Sequence, residues 1–193
     1  TGGIVTQHEI NDFLAKVPKD VLVVIDEAYV EFNRDPLAID GMATMKAHSN
    51  VGVLRTFSKA YGLAGLRVGY FVGPEHVAEA VRKTAVSFVV SHIAQSAAVA
   101  SLEHESELFE RVEQVIAERV WFESELNKLG YELQPSQANF VWLPLGQRTE
   151  EFALRSEGIA VSIRPFAGEG VRISIGERGA LERIIELAKD FVS

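Results

Sequence analysis

The residues with the clearest chemical potential lie in one segment, where a lysine stands between an apolar strand and a glycine-rich loop. Residues 51–73 read VGVLRTFSKAYGLAGLRVGYFVG, with Lys59 as the lysine. An isolated ammonium group is costly to bury, so Lys59 is either functional or extends into solvent. Asp26 ends the apolar run Val21–Ile25. Ligands gather at the carboxyl ends of strands in open α/β sheets, although many such aspartates only cap the next turn.

Several other kinds of site are excluded by residue type or spacing. The 193 residues contain no cysteine, which rules out disulfides, thiolate metal sites and cysteine nucleophiles. The five histidines are scattered without paired ligand spacing, so no metal site is predicted. Gly62 and Gly65 lack the third glycine and the setting of a dinucleotide site. The net charge of −8 and the scattered basic residues argue against nucleic acid or an anionic membrane as a partner.

Apolar periodicity in the first half predicts a parallel α/β sheet. Thr6, three residues before a glutamate, predicts a capping box and a helix that a proline stops at residue 18. The run Val21–Ile25 is typical of a strand buried on both faces. Val51–Leu54 and Leu66–Val72 are the next predicted strands, and Pro74 marks the first turn of a further helix.

The second half predicts a small α+β unit. Ser91–Leu129 has a helical pattern almost throughout, and Gly130 is the expected C-terminal cap. The strands predicted after it are Tyr131–Leu133, Asn139–Leu143, Ile159–Ile163 and Val171–Ile175, and the helices are Thr149–Glu157 and Arg178–Phe191.

Taken together, these motifs resemble a known family. DEAY at 26–29, TFSK at 56–59 and Arg67, eight residues after the lysine, are similar to the pyridoxal-phosphate aminotransferases of the aspartate-aminotransferase fold type. The resemblance is strongest to the histidinol-phosphate aminotransferase family. Pro135–Leu145 resembles its aromatic, or phenylalanine, aminotransferase branch, and Thr1-Gly2 resembles the end of an amino-terminal Asn-Pro motif. Arg164–Phe166 and Gly170–Ser174 resemble the family's segment for the substrate carboxylate.

The resemblance implies an α/β fold of the pyridoxal-phosphate-dependent transferase type. Residues 1–105 would form the carboxyl-terminal part of the mostly parallel-sheet large domain, and residues 106–193 the small α+β carboxyl-terminal domain. The chain is therefore expected to lack an amino-terminal segment. That segment would supply a helix N-terminus for the phosphate and an aromatic ring against the cofactor.

The implied cofactor is pyridoxal 5′-phosphate, and the resemblance assigns residues to its reactive ring. Lys59 would condense reversibly with the cofactor aldehyde and then carry a proton between the substrate Cα and the cofactor C4′. Asp26 would keep the pyridine nitrogen protonated through a charge-assisted hydrogen bond. Tyr29 would donate a hydrogen bond to the phenolic oxygen of the cofactor.

The remaining implied roles concern the phosphate and the substrate. Thr56, Ser58 and Arg67 would hold the phosphate. Arg172 would bind the substrate α-carboxylate with two parallel hydrogen bonds, although an arginine facing water on an edge strand is also compatible with its pattern. Asn139 belongs either to the substrate pocket or to a strand-edge cap.

The implied activity is transfer of an amino group between an aromatic L-amino acid and a 2-oxo acid. The family further implies a cytoplasmic homodimer in amino-acid biosynthesis whose other partners are small molecules, with no nucleic acid and no membrane. The alternatives are histidinol-phosphate transamination, decarboxylation of a phospho-amino acid, and the cofactor-binding sensor half of a transcription regulator. An upstream segment carrying a helix-turn-helix would distinguish the last of these.

Overall fold

The computed structural model describes residues 1–192, which form two compact units. One unit comprises Ile4–Glu110, and the other comprises Thr1–Gly3 together with the chain from Arg111 onward. Within residues 1–192, no helix has the length and apolar character needed to cross a membrane. No cluster of three or more potential metal ligands occurs in this part of the chain.

The unit Ile4–Glu110 contains a three-stranded sheet with the order β1-β2-β3. Its strands are β1 (Val23–Asp26), β2 (Val51–Thr56) and β3 (Gly69–Val72). β1 and β2 are parallel, as predicted, whereas β3 is antiparallel to β2. The difference has a topological cause: residues 57–68 contain a 3₁₀ turn but no crossover helix, and a parallel strand usually needs one. The predicted α/β class is confirmed.

Four helices lie wholly within this unit, and a fifth begins in it. They are α1 (Gln7–Leu14), α2 (Gly41–Ala47), α3 (Glu75–Thr84), α4 (His92–Glu103) and α5 (Glu105–Lys128). The capping box predicted for α1 is present: Thr6 Oγ1 accepts the Glu9 N–H at 3.2 Å, and the Glu9 carboxylate accepts the Thr6 N–H at 2.8 Å. The helical pattern predicted from Ser91 onward is divided between α4 and α5 at His104.

One face of this sheet is covered and the other is not. Ile10 of α1 packs with Val51 and Val23 in a small apolar core. On the opposite face Val24 and Leu54 are 42% and 40% exposed. The prediction that Val21–Ile25 is buried on both faces is therefore wrong for this chain, because its helices cover only the Val51 face.

The other unit is a second three-stranded sheet packed with helices. β4 (Phe140–Pro144), β6 (Gly170–Ser174) and β5 (Arg164–Phe166) lie in that order and are antiparallel. Its helices are the later turns of α5, α6 (Thr149–Gly158) and α7 (Arg178–Ala188). The core includes Phe122, Leu126, Val141, Phe152, Ile173 and Ile184. Short 3₁₀ turns occur in the two units at Val30–Phe32, Ala64–Leu66, Gly146–Arg148 and Lys189–Phe191.

Two strands predicted in this unit are not formed. Gly130 ends α5 with φ of 104°, as expected, and the next N–H, of Tyr131, bonds back to the Leu126 carbonyl, so Tyr131–Leu133 belongs to a helix-ending turn. Ile159–Ile163 begins with the turn that follows α6, where Ala160 has φ of 56° and its N–H bonds back to the Glu157 carbonyl. Apolar residues of both segments pack against the core, which explains why their pattern resembles that of strands.

Candidate functional site

The candidate site is an open pocket of about 550 Å³ beside the carboxyl ends of β1 and β2. Because these strands are parallel, their carboxyl ends lie at the same edge of the sheet. Five of the residues predicted for a site line this single pocket: Asp26, Thr56, Ser58, Lys59 and Arg67.

Asp26 and Lys59 belong to the turns that follow the two parallel strands. Asp26 is the last residue of β1, and its Oδ1 accepts the Ala28 N–H at 3.0 Å. Lys59 follows β2 by three residues, and its Nζ lies 5.4 Å from the centre of the Tyr29 ring, within cation–π distance. Tyr29 does not line the pocket itself, but its ring contacts the amine that does.

Local hydrogen bonds hold the loop that carries Lys59. Thr56 Oγ1 accepts the Ser58 N–H at 3.1 Å, and the Phe57 carbonyl accepts the Leu63 N–H at 2.9 Å. Gly62 adopts φ of 70° and donates its N–H to the Lys59 carbonyl at 3.0 Å. A residue with a Cβ is strained at that φ, so the tight turn after the lysine depends on glycine.

Tyr61 anchors the same loop to the start of α5. Its hydroxyl donates to Glu105 Oε1 at 2.8 Å, and its ring lies 4.9 Å from that of Phe57. Burial, together with the Glu105 hydrogen bond, raises the pKa of Tyr61 above its usual range. Tyr61 is therefore a neutral hydrogen-bond donor rather than a titrating group. Burial also raises the pKa of Glu31.

Arg67 is held in a strained backbone conformation. Its φ is 54° in the left-handed region, and its Nη1 donates to the Ala64 carbonyl at 2.8 Å. The left-handed region costs an L-residue roughly 1–2 kcal/mol. Such strain is concentrated at ligand-binding sites and active sites, so the conformation agrees with a role for this guanidinium in the pocket.

The pocket residues that β3 supplies were not predicted from the sequence. Tyr70 and Phe71 line the pocket because β3 pairs with β2, which places Gly69 beside Thr56. A Cβ at Gly69 would lie 2.7 Å from the Arg55 carbonyl oxygen. The glycine was a possible signal for this close approach, but the pairing itself is not visible in the local pattern.

Arg172 lies in the second sheet, on β6. It is opposite Trp142 of β4 on one side and Arg164 of β5 on the other. Its guanidinium carbon lies 5.1 Å from the centre of the Phe140 ring, and its buried Nε has no hydrogen-bond partner among residues 1–192. Like charges directly opposite each other destabilise a sheet, so an anion would complement this pair. Arg164 is thus a further candidate.

Asn139 immediately precedes β4 and is half-buried. Its carbonyl accepts the Ile175 N–H at 2.9 Å, and the preceding carbonyl, of Ala138, accepts Arg119 Nη1 at 2.7 Å. These bonds fix the backbone at the start of β4. They agree with the strand-edge interpretation of Asn139 and leave its predicted role in substrate binding as a hypothesis.

Comparison with known proteins extends over almost the whole chain. The family model described as aminotransferase class I and II matches residues 1–187. An aromatic amino acid aminotransferase of Streptomyces avermitilis is 53% identical over 191 residues, covering 99% of this chain and 53% of that protein. One of Mycobacterium avium is 46% identical over 193 residues, covering 100% of this chain and 54% of that protein. The chain spans about half the length of these relatives.

Solved structures show the same similarity. A histidinol-phosphate aminotransferase from Sinorhizobium meliloti, in complex with pyridoxal-5′-phosphate, matches with a TM-score of 0.85 at 27% identity, over 99% of this chain and 54% of that one. An L-threonine-O-3-phosphate decarboxylase from Porphyromonas gingivalis has a TM-score of 0.81 at 27% identity, over 98% of this chain and 60% of that one. The predicted family is confirmed: this chain belongs to the class I and II aminotransferases.

Proposed function

We propose that this chain is the carboxyl-terminal half of a pyridoxal-phosphate-dependent aminotransferase that moves an amino group between an aromatic L-amino acid and a 2-oxo acid. The observation that carries the proposal is the single pocket that contains Asp26, Thr56, Ser58, Lys59 and Arg67. The names of the relatives that are 53% and 46% identical to this chain over the matched residues support the aromatic substrate.

The side chains in the pocket match the functional groups of the cofactor. Lys59 offers a primary amine for an aldehyde, Asp26 a carboxylate for a pyridine N–H, and Ser58 and Arg67 a hydroxyl and a guanidinium for a phosphate. Bound there, pyridoxal phosphate supplies an electron sink for the electron pair left on the substrate Cα. The residue types present therefore fit the group.

Each residue assigned to the cofactor has a definite task in this proposal. Lys59 takes the proton from the substrate Cα and delivers it to the cofactor C4′. Asp26 keeps the pyridine nitrogen protonated, and Tyr29 both limits the motion of the Lys59 amine and hydrogen-bonds the phenolic oxygen. Thr56 orients the Ser58 amide, and Arg67 binds the phosphate through parallel N–H groups.

Substrate binding is assigned to the second sheet. The unpartnered Nε of Arg172 supports a role in binding the α-carboxylate, and Asn139 is assigned to the same substrate. In the full-length protein, Arg172→Ala should raise the KM for every amino-acid substrate, because all of them carry the α-carboxylate. An unchanged KM would contradict a role of Arg172 in substrate binding and indicate that the residue is only structural.

The covalent role of Lys59 has a direct test. Borohydride reduction of the full-length protein with pyridoxal phosphate should fix the label on the peptide containing Lys59, as read by mass spectrometry. Lys59→Ala should keep part of the cofactor affinity through Asp26 and Arg67 but lose turnover by orders of magnitude, whereas Lys46→Ala, on α2, should retain both. A label on another lysine, or no label, would contradict the assignment.

The second candidate is histidinol-phosphate transamination, because a solved histidinol-phosphate aminotransferase is 27% identical to this chain. An aromatic side chain needs an apolar pocket, whereas a substrate phosphate needs cationic donors. We expect the full-length protein to process phenylalanine or tyrosine with a higher kcat/KM than histidinol phosphate. A preference for histidinol phosphate by about tenfold or more, roughly 1.4 kcal/mol of transition-state binding, would favour the second candidate.

A further inference from the structure

An ion pair joins the ends of the two parallel strands that carry the site. Glu27 directly follows Asp26, and Arg55 directly precedes Thr56. Glu27 Oε2 accepts Arg55 Nε at 2.8 Å, with the two side chains 5% and 31% exposed. Arg55 is itself part of the pocket wall, whereas Glu27 lies behind it, next to Asp26.

The Glu27 carboxylate uses both of its oxygens. Oε1 accepts the N–H of Gly41, the first residue of α2, at 3.0 Å. A Cβ at Gly41 would lie 2.3 Å from that oxygen, so the contact needs glycine. The Glu27 N–H donates to the Leu54 carbonyl at 2.9 Å. Through its side chain and its N–H, this one residue therefore connects the end of β1 with β2 and α2.

Arg55 extends the connection to the third strand. It lies directly opposite Tyr70 of β3 in the antiparallel pair of strands. Tyr70 itself lines the pocket. The row Glu27–Arg55–Tyr70 thus runs from the residue after β1 across β2 to β3, at the level of the site.

An ion pair whose carboxylate is buried, as that of Glu27 is, adds little net stability compared with an apolar pair of similar size, while loss of the Arg55 partner leaves an uncompensated buried charge. Its particular contribution is geometric. We infer that Glu27 and Arg55 are positioning residues, which hold Asp26 and Thr56 in the register that binds the cofactor. This inference rests on the proposed function, because it assigns the purpose of the pair to that pocket.

The test uses the full-length protein and the double substitution Glu27→Met with Arg55→Met, which removes both charges together. The cofactor-free double variant should unfold at a temperature no lower than that of the parent. The dissociation constant of pyridoxal phosphate, measured by protein fluorescence, should rise at least about tenfold, and kcat should fall about a hundredfold, as expected for misplaced groups. The pH titration of the bound cofactor's visible absorbance should also shift.

Two further variants make the result decisive. The matched control replaces Glu118 and Arg178, an ion pair of 2.7 Å in the other unit, by methionine, and should keep the parent dissociation constant. Arg55→Lys keeps the charge but loses the Nε geometry, and should give an intermediate dissociation constant.

Parent-like cofactor binding and a parent-like pH titration in the double variant would overturn the inference. If that variant does not fold, parent-like binding in Arg55→Lys would overturn it instead. A parent protein that fails to bind pyridoxal phosphate would contradict the proposed function, and this inference with it.

Discussion

Among the individual residues, Arg67 combines a charge suited to the phosphate with a backbone conformation that is unfavourable for a residue with a side chain. Its φ of 54° is matched elsewhere by Ala160, whose φ is 56°. Ala160 lies in the turn after α6 in the other unit and does not line the pocket. Substitutions at the two residues therefore distinguish the energetic cost of a left-handed backbone conformation from the contribution of the Arg67 guanidinium to phosphate binding.

Arg67→Gly should weaken pyridoxal phosphate binding while releasing backbone strain. Each hydrogen bond to a charged group contributes about 1.5–3 kcal/mol, so the dissociation constant should rise by at least about tenfold. The free energy of unfolding of the cofactor-free protein should increase, offset in part by loss of the bond to the Ala64 carbonyl. Urea unfolding and fluorescence titration measure the two effects.

Ala160→Gly is the matched control for that experiment. It should raise the free energy of unfolding by about 1 kcal/mol and leave the cofactor dissociation constant unchanged. Equal cofactor binding by the parent and the Arg67→Gly variant would contradict the role of the Arg67 guanidinium.

At the level of secondary-structure elements, α5 carries two glutamates whose environments shift their acidities in opposite directions. Glu118 accepts two hydrogen bonds from Arg178, at 2.7 and 2.8 Å, and these lower the pKa of Glu118. Burial raises the pKa of Glu123, although its Oε1 accepts the Ser136 N–H at 2.8 Å. The same helix should therefore respond to pH in two opposite ways.

Replacing each glutamate by glutamine should reveal opposite pH dependences. A carboxylate with a lowered folded-state pKa stabilises the protein above the unfolded pKa, and this stability is lost as the pH falls. Glu118→Gln should therefore be more destabilising at about pH 7 than at about pH 4. The effect should be small, because the pair is partly exposed to solvent.

Glu123→Gln should show the reverse trend. Its raised pKa contributes stability below the unfolded pKa that is lost as the pH rises through the folded pKa. Relative to the parent, the variant should gain stability between about pH 4 and about pH 7. Thermal unfolding of both variants across this range measures the slopes, and slopes of the same sign would contradict the assignment.

At the level of the whole molecule, the unit Ile4–Glu110 exposes apolar surface that a folded protein normally covers. Val24 and Leu54 are 42% and 40% exposed on one sheet face, and Phe88 is 98% exposed with φ of 62°. Exposed apolar patches mark interaction surfaces. The relatives are nearly twice as long as this chain, which is consistent with further polypeptide covering these residues.

We therefore expect the 193-residue chain alone to bind pyridoxal phosphate weakly and to show no measurable transamination. Coexpression with the amino-terminal half of the full-length protein should restore tight cofactor binding and transamination, since the added half would cover Val24 and Leu54 and complete the site. Circular dichroism of the cofactor absorbance band measures binding, and a transamination assay measures activity. Activity above background, in material that mass spectrometry shows to contain no amino-terminal fragment, would contradict this expectation.

We propose further that the full-length protein acts as a cytoplasmic homodimer. We also propose that the boundary between its two domains lies between residues 105 and 106. The observed compact units divide the chain at a nearby position, between Glu110 and Arg111. Sedimentation equilibrium of the full-length protein gives its subunit number.

The sequence by itself determined the features that depend on neighbouring residues. The capping box of Thr6 and Glu9 and the glycine turn at Gly130 were predicted correctly, because short-range hydrogen bonds and backbone preferences decide them. Family membership was also predicted, because the aspartate and lysine motifs are short, contiguous and distinctive. The strands proposed at Tyr131–Leu133 and Ile159–Ile163 were wrong, since half-buried apolar turns share the pattern of strands.

Only the tertiary structure decided what depends on strand pairing. The antiparallel pairing of β3 places Gly69 beside Thr56 and adds Tyr70 to the pocket. The bond between Glu27 and Arg55 joins residues 28 positions apart in the chain. These contacts depend on the register of hydrogen bonds between distant strands, and a one-residue change of register moves every side chain to the opposite face. The local pattern of apolar and polar residues does not specify which strand pairs with which.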